Sequence, residues 1–257
     1  MLILLPPSEG KAVGSRGRPL DLGALSFPEL RDTRERVLDA LVDTSSGDDA
    51  LEVLGVGAGV RDQVERNVEL RSAPTLSASR LYTGVLYDAL DLTTLDRAAK
   101  ARASRRLVVI SALFGALRPN DKVPSYRLSM DVSLPGLGKL AGVWRPVLED
   151  ALPAAAGRGL IVDLRSSTYA AAWRPAGGLA ERTAAIHVVR EAADGTRSVV
   201  SHMAKHTRGL VARWLLETGV DPRTPEALAD AMSGEFRVEL DEPRSGKSRR
   251  LEIVEPG

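Results

Sequence analysis

The sequence has no cysteine in its 257 residues. Without thiols the chain has no disulfide framework, no thiolate metal site and no cysteine nucleophile. Such a composition suits a reducing compartment, so we expect a cytoplasmic protein. An excess of either charge is also missing, with 35 Lys and Arg against 34 Asp and Glu. A molecule this close to neutral has little long-range attraction for a polyanion, and any affinity for nucleic acid must come from a local patch.

We find no internal repeat and expect neither a signal peptide nor a membrane helix. The apolar run at the amino terminus, Met1 to Leu5, is short, has no basic segment before it and meets Pro6 and Pro7. It cannot span a bilayer, and it does not have the features of a secretory signal. We therefore predict a buried first strand and no association with membranes.

Hydrophobic residues make up 44% of the chain. At this length one core buries roughly three quarters of the unfolded surface, so we predict a single domain over residues 1–257. Leu107 to Ser111 and Gly159 to Leu164 are short β-branched runs with little alternation, which is typical of strands covered on both faces. Ala193-Asp194-Gly195 predicts a hairpin, and a helix from about Met203 to Thr218 follows it. The predicted fold class is α/β.

Residues 48 to 71 carry the sharpest local motif. Asp48 caps a predicted short helix that stops at Gly55, and a second helix is predicted from Gly59 to Arg71. Gly55 and Gly57 between them favour a tight turn at positive φ with outward-facing N–H groups, which is how a helix-hairpin-helix holds a DNA phosphate. An ordinary helix–helix turn explains the same glycines, and both interpretations stay open.

A loop with three basic side chains follows the strand that ends at Ser111. It contains Arg118, Lys122 and Arg127. Ligands of α/β sheets gather at the carboxyl ends of strands, so this loop is a candidate clamp for phosphate or carboxylate. The alternative is structural, since Arg118 and Arg127 could pair with Asp121 and Asp131 to hold a long loop together.

Two further segments offer groups that bind anions. The segment Asp163 to Tyr169 follows the second buried strand and contains Arg165 and Ser166, which lie at the start of a predicted helix. Lys205 and Arg208 lie one turn apart on the helix after the hairpin. Plain helix capping and a solvated basic face are the simpler explanations.

The loop after the first strand contains Lys11, but the spacing of a Walker phosphate loop is missing. Tyr82 and Thr83 precede Gly84, where a helix end with a buried aromatic is the simpler interpretation. His202 and His206 are four residues apart, as metal ligands on a helix often are. No zincin glutamate accompanies them, so we predict neither a metal site nor a cofactor.

These segments together resemble the YaaA family of peroxide stress proteins. The resemblance begins with a first strand followed by a Pro-Ser-Lys loop and covers nearly the whole chain. The segments that carry it are Leu81 to Gly84, Ser111 to Pro119, Tyr126 to Met130, Asp163 to Tyr169 and Ala204 to Leu210. The first loop, Pro6 to Lys11, is longer than the Ser-Pro-Ala-Lys of familiar members.

The resemblance implies a compact mixed α/β fold with a central mixed sheet, a helix-hairpin-helix over about residues 48–71 and a basic cleft. It also implies binding of duplex or distorted DNA without sequence specificity, in a protein that limits oxidative damage by lowering available iron. On this hypothesis the side chains and turn residues that bind DNA or another anion are Lys11, Gly55, Gly57, Arg118, Lys122, Arg127, Arg165, Ser166, Lys205 and Arg208.

A second hypothesis is an enzyme that acts on a nucleobase or another nucleotide-like anion. Basic side chains would then bind the anionic groups, and the candidates for catalysis are Lys11, Tyr82, Asp163 and Tyr169. Convergence separates the two hypotheses, because one pocket containing these side chains favours an enzyme and an open basic groove favours DNA. We further predict that Arg118 and Lys205 lie on the same concave face.

Overall fold

The computed structural model describes all 257 residues and contains twelve strands and eleven α-helices. The strands are β1 (Leu2–Leu5), β2 (Leu76–Ser77), β3 (Leu107–Ser111), β4 (Gly115–Leu117), β5 (Lys122–Val123), β6 (Ser133–Leu134), β7 (Gly138–Lys139), β8 (Ile161–Asp163), β9 (Thr183–Glu191), β10 (Arg197–Ser198), β11 (Val238–Leu240) and β12 (Arg249–Pro256). The helices are α1 (Arg31–Ser45), α2 (Ala50–Val53), α3 (Arg61–Glu65), α4 (Ala78–Leu81), α5 (Val85–Leu90), α6 (Arg97–Arg106), α7 (Leu140–Ala156), α8 (Ser167–Ala170), α9 (Gly177–Glu181), α10 (Ser201–Thr218) and α11 (Pro225–Met232). Short 3-10 helices cover Leu22–Ala24, Pro28–Leu30, Ala58–Val60 and Arg66–Glu69.

One mixed sheet of eight strands forms the centre of the molecule, which confirms the predicted α/β class. The strand order is β11-β12-β9-β8-β1-β3-β4, and β10 pairs with β9 outside this path. The five strands from β12 to β3 are parallel, whereas β11 and β4 run antiparallel at the edges. Every residue of β1, β3 and β8 is buried, as expected for parallel strands with both faces covered.

A single hydrophobic cluster of 62 buried residues surrounds this sheet. Trp144 of α7 is fully buried in it, and its Nε1 donates to the carbonyl oxygen of Ala112 at 2.7 Å. Arg34 of α1 is buried in the same core and donates to the carbonyl oxygens of Phe114 and Ala116. These bonds fix the chain where it leaves β3. No helix combines the length and the apolarity needed to cross a membrane.

The order of the central strands creates a switch point beside β1. β1 pairs with β3 on one side and with β8 on the other, and both pairings are parallel. The chain segments that follow β1 and β8 therefore begin side by side, at the carboxyl ends of two neighbouring strands. Ligands of open α/β sheets bind outside the carboxyl ends of strands at such a point, and the segments after β1 and β8 are the ones that line the cavity described below.

Several predicted elements match the structure closely. β3 covers Leu107 to Ser111 as predicted, β8 lies inside the predicted strand, and β9 and β10 form the predicted hairpin. α10 begins two residues before the predicted Met203 and ends at Gly219, which has a left-handed φ of 71°.

Residues 48 to 71 do not form two regular helices around a hairpin, and a helix-hairpin-helix is not confirmed. α2 has only four residues, and the predicted second helix is divided into two 3-10 segments and the five-residue α3. Gly55 has a φ of +62°, as the turn prediction requires, but Gly57 is extended with a φ of −80°. Asn67, in the last of these segments, is fully buried.

Candidate functional site

A cavity of about 820 Å³ lies at the carboxyl ends of β1 and β8. Its walls come from six parts of the chain: the loop 6–11 after β1, the turn 53–56, the segment 83–86, the stretch 127–133, the residues around α8 and the start of α10. Pockets of roughly 300–1,000 Å³ are the size that holds small organic ligands. The cavity is therefore large enough for a ligand the size of a nucleotide.

The loop after β1 is held firmly against the segment before α5. The backbone N–H of Ala12 donates to the carbonyl oxygen of Leu81 at 2.8 Å, and the N–H of Thr83 donates to the Ser8 hydroxyl at 3.1 Å. The Tyr87 hydroxyl donates to the carbonyl oxygen of Pro6 at 2.7 Å. Three hydrogen bonds to one neighbouring segment thus fix the shape of the loop, although the loop itself forms no helix or regular strand.

Lys11 projects from this loop into the wall of the cavity. Its Nζ donates to the carbonyl oxygen of Ser8 at 2.7 Å and lies 4.3 Å from the centre of the Tyr126 ring. The pKa of Lys11 is lowered to about 7, mainly by burial and secondarily by the nearby Arg127 guanidinium, while Glu9 acts in the opposite direction. The ring favours a cation, but desolvation is the larger effect. A substantial fraction of this amine is therefore uncharged at neutral pH.

A buried chain of hydroxyl groups lies behind Lys11. The Tyr82 and Tyr126 hydroxyls are 3.0 Å apart, and the Tyr126 hydroxyl is 2.8 Å from the hydroxyl of Ser111. Burial raises the pKa of both phenols well above its ordinary value, so both remain protonated. Tyr82, a predicted catalytic candidate, does not line the cavity and instead supports the ring against which Lys11 rests.

Arg127 lines the cavity and pairs with Glu9, which is also a residue of the wall. Its Nη2 lies 3.4 Å from the Glu9 carboxylate, which is exposed. The backbone of Arg127 is clamped by Asn67, whose side-chain oxygen accepts from the Arg127 N–H and whose nitrogen donates to the Arg127 carbonyl, both at 2.9 Å. The segment predicted as part of a DNA-binding hairpin therefore has a clear structural role, which is to position a cationic side chain of the cavity.

Lys205 and Arg208 enter the cavity from α10, one turn apart as predicted. Gly209 next to them lets α10 approach α5 closely, because a Cβ at this position would lie 2.2 Å from the carbonyl oxygen of Leu86. The Nε of Arg208 is buried and has no hydrogen-bond partner. An unpaired buried guanidinium N–H is costly, and it is the kind of group that a bound anion satisfies.

The segment after β8 contributes Ser166, Thr168 and Tyr169 to the wall. Burial raises the pKa of Tyr169 to about 12, so its hydroxyl stays protonated at neutral pH. Asp163 and Arg165, by contrast, satisfy one another, with Nε–Oδ1 and Nη2–Oδ2 distances of 2.8 and 2.7 Å. Neither lines the cavity. Their pairing ties the loop after β8 to its own strand end.

Arg118 lies at the opposite end of the strands from the cavity, and the prediction that it shares a concave face with Lys205 is wrong. β4 runs antiparallel to β3 and returns the chain to the amino end of β3. There the Arg118 guanidinium donates to the carbonyl oxygens of Arg105 and Leu107 and lies 5.3 Å from the ring of Phe27. The sequence showed that the loop follows a strand, but it did not show that a short strand reverses the chain first.

Lys122 and Gly57 also lie outside the cavity. Lys122 is exposed on β5, which pairs with β2, and Gly57 is exposed just beyond the turn that contributes Gly55 to the wall. His202 and His206 are exposed on α10, and no three His, Asp or Glu side chains come close enough to hold a metal ion.

The cavity wall carries four basic side chains, Lys11, Arg127, Lys205 and Arg208, against two acidic ones, Glu9 and Asp131. The whole chain has a net charge of only +1, so positive charge is concentrated here. A longer basic cleft that also includes Arg118 and Arg165 is not confirmed.

Comparison with known proteins places the chain among relatives of similar length. A family model described as "Peroxide stress protein YaaA" matches residues 1–242. A UPF0246 protein of Streptomyces coelicolor is 51% identical over 96% of this chain and 95% of its own length. A UPF0246 protein of Corynebacterium efficiens is 44% identical over 99% of this chain and its own full length. A UPF0246 protein of Ruegeria is 31% identical over 86% of this chain and 88% of its own length.

Proposed function

This chain belongs to the YaaA family of peroxide stress proteins, and from that membership we propose that it protects DNA by binding it, with the cavity receiving one phosphate-bearing nucleotide of the strand. The observation that carries this proposal is the convergence of Lys11, Arg127, Lys205 and Arg208 on one cavity at the switch point of the sheet. Glu9 pairs with Arg127, whereas the buried Nε of Arg208 has no hydrogen-bond partner. Convergence on one pocket is also what the alternative hypothesis, an enzyme, requires.

The side chains of the cavity wall suit a phosphate group better than they suit a carboxylate. Arginine presents a planar fork of donors to phosphate oxygens, and the unpartnered Nε of Arg208 offers one such donor. The expected contacts are to phosphates rather than to base edges, so we expect binding to be insensitive to sequence, salt-dependent and micromolar or weaker at physiological salt. An unpaired or extruded nucleotide should bind best, because a stacked one cannot enter a cavity.

The cavity test uses charge reversal. Arg127→Glu and Lys205→Glu should each reduce affinity for a fluorescein-labelled duplex with an unpaired bubble by about 10-fold or more and lower the slope of log affinity against log salt by about 1. Arg223→Glu is the matched control. Arg223 pairs with Asp221, which also pairs with the amino group of Met1 at the amino end of β1, away from the cavity. Parent-like anisotropy titrations for both cavity variants would exclude the cavity as the DNA-binding site.

The turn beside the cavity is tested separately with Gly57→Glu. Gly57 has an ordinary φ, and a Cβ there meets nothing within 4 Å, so the variant adds a carboxylate without strain. If DNA phosphates approach the backbone of this turn, the added charge should weaken binding several-fold. Unchanged binding would confine the contact to the cavity itself.

We do not extend the proposal to iron, because no coordination site supports it. The alternative hypothesis, an enzyme acting on a nucleotide-like anion, has one specific observation in its favour. Lys11 combines an accessible cavity position with a pKa of about 7, which phosphate binding alone does not require.

A further inference from the structure

The amine of Lys11 differs from a lysine that simply binds an anion. Glu9 of the same loop pairs with Arg127 rather than with Lys11. The Nζ has the Ser8 carbonyl on one side and the Tyr126 ring on another. An ammonium in this position has lost most of its water and gained no carboxylate in return. The surroundings therefore favour the uncharged amine.

An uncharged amine held in this way is a nucleophile. One N–H satisfies the Ser8 carbonyl at 2.7 Å, which orients the nitrogen and leaves its lone pair free. A lysine desolvated beside another cation is the arrangement that enzymes use to attack carbonyl carbons and form imines. The buried phenols of Tyr82 and Tyr126 remain protonated and cannot act as competing nucleophiles.

The other groups of the cavity limit which carbonyl compound would fit. Arg127, Lys205 and Arg208 line the same cavity and suit a phosphate. Open-chain sugar phosphates carry both an aldehyde and a phosphate a few bonds apart, and the member of this class that matches the proposed nucleotide site is a phosphorylated 2-deoxypentose. In DNA this group arises where a base has been lost.

We propose that Lys11 forms an imine with the C1 aldehyde of a phosphorylated 2-deoxypentose held in the cavity, either free or as an abasic nucleotide of DNA. This inference rests on the proposed function, because the phosphate contacts are those of the proposed nucleotide site. The Nζ lone pair forms the bond to C1, the π pair of the carbonyl moves to its oxygen, and the proton that the nitrogen releases is taken up by that oxygen. The resulting carbinolamine loses one water molecule to give the C=N bond, and no atom is oxidised or reduced.

The test traps the imine with sodium borohydride, which reduces the C=N bond to a stable secondary amine. The full-length protein is incubated with a duplex that contains one abasic site and, in a second arm, with 2-deoxyribose 5-phosphate. Intact-mass and peptide mass spectrometry then locate the adduct. The expected result is a single adduct on Lys11, and the arm in which it forms identifies the source of the aldehyde.

Lys11→Arg keeps the positive charge but removes the nucleophile, so it should reduce trapping by at least about 10-fold. Lys11→Gln provides a second variant in case the first is poorly folded, and a thermal melt checks both. Lys122→Arg is the matched control, since Lys122 is exposed outside the cavity, and it should trap like the parent.

The outcomes separate this inference from the proposed function. If the parent binds a duplex with a tetrahydrofuran analogue of the abasic site but forms no borohydride adduct with either probe, the imine is excluded and the nucleotide site stands. An adduct that maps to Lys205 or to the amino group of Met1, or one that persists in Lys11→Arg, also overturns the inference. If the parent does not bind the analogue duplex at all, the proposed DNA function fails.

Discussion

Replacing Lys11 with methionine should change the way in which stability depends on pH. The pKa of Lys11 is about 7 in the folded protein, against an ordinary value of 10.5. Between these two values the unfolded chain holds a proton that the folded protein has released. The burial of the Lys11 amine therefore lowers the stability of the fold in full below about pH 7. This cost diminishes as the pH rises from about 7 to about 10.5 and is absent above that.

The size of this effect follows from the two pKa values. At 1.36 kcal/mol for each pH unit, the difference between 10.5 and about 7 corresponds to about 4–5 kcal/mol. Lys11 keeps some contact with solvent, so we expect about half of that, roughly 2 kcal/mol, as the full cost of the buried amine. Methionine has a similar length and no titratable group, so the variant is free of this cost, which the parent bears in full below about pH 7 and loses as the pH rises toward about 10.5.

The measurement is urea unfolding of the parent and of Lys11→Met at pH 6, 7.5 and 9, followed by tryptophan fluorescence. The free energy of unfolding of the parent, relative to the variant, should rise by about 1–2 kcal/mol between pH 6 and pH 9. The lost hydrogen bond to Ser8 shifts the variant by a constant amount and does not affect this slope. Lys122→Met shows what the loss of an exposed lysine does. A parent–variant difference that stays constant across the range would refute the lowered pKa and remove the support it gives to the amine chemistry.

Three further substitutions test the supports of the cavity. Asn67→Ala leaves the N–H and carbonyl of Arg127 without their partners, so we expect a loss of about 2–4 kcal/mol in urea unfolding and weaker DNA binding in a fold that persists. A melting temperature and affinity equal to those of the parent would show that the clamp is dispensable. Gly209→Ala drives a methyl group into the carbonyl of Leu86 and should cost about 1–3 kcal/mol or more while displacing Arg208; Gly59→Ala, with open space around it, is the control. Arg118→Ala should lower stability by about 1–2 kcal/mol, because two carbonyls lose their donor, while DNA affinity stays at the parent value; a selective loss of affinity would return Arg118 to the site.

The central strands were predictable from the sequence because their signal is local. A run such as Leu107 to Ser111 is apolar throughout, and parallel strands covered on both faces require that pattern. The Ala193-Asp194-Gly195 turn and the glycine after α10 are equally local signals. Lys11, Arg127, Lys205 and Arg208 were chosen from the sequence as residues near strand ends or a helix start, and the cavity brings these four together.

The errors came from pairings between distant residues. Arg118 follows a strand in sequence, yet the three residues of β4 reverse the chain and place it near the amino end of β3. Asn67 and Arg34 lie among charged residues in the sequence, but both side chains are fully buried and donate to carbonyl oxygens of distant segments, Arg127 for Asn67 and Phe114 for Arg34. A single polar residue gives no sign of whether it meets water or a carbonyl group 60 to 80 positions away.

The position of β1 in the sheet has a consequence for how the protein is made. β1 pairs only with β3 and β8, which begin at residues 107 and 161. During synthesis at about 5–20 residues per second, the apolar segment Leu2–Leu5 therefore waits at least about 5–20 seconds for its first partner strand to appear. The loop bearing Lys11 waits longer still, because α10 supplies the last two cations of its cavity. A ribosome-bound chain that stops before residue 107 should thus present an unpaired apolar strand, which is a natural target for chaperones, and one that stops before residue 201 should lack the anion site.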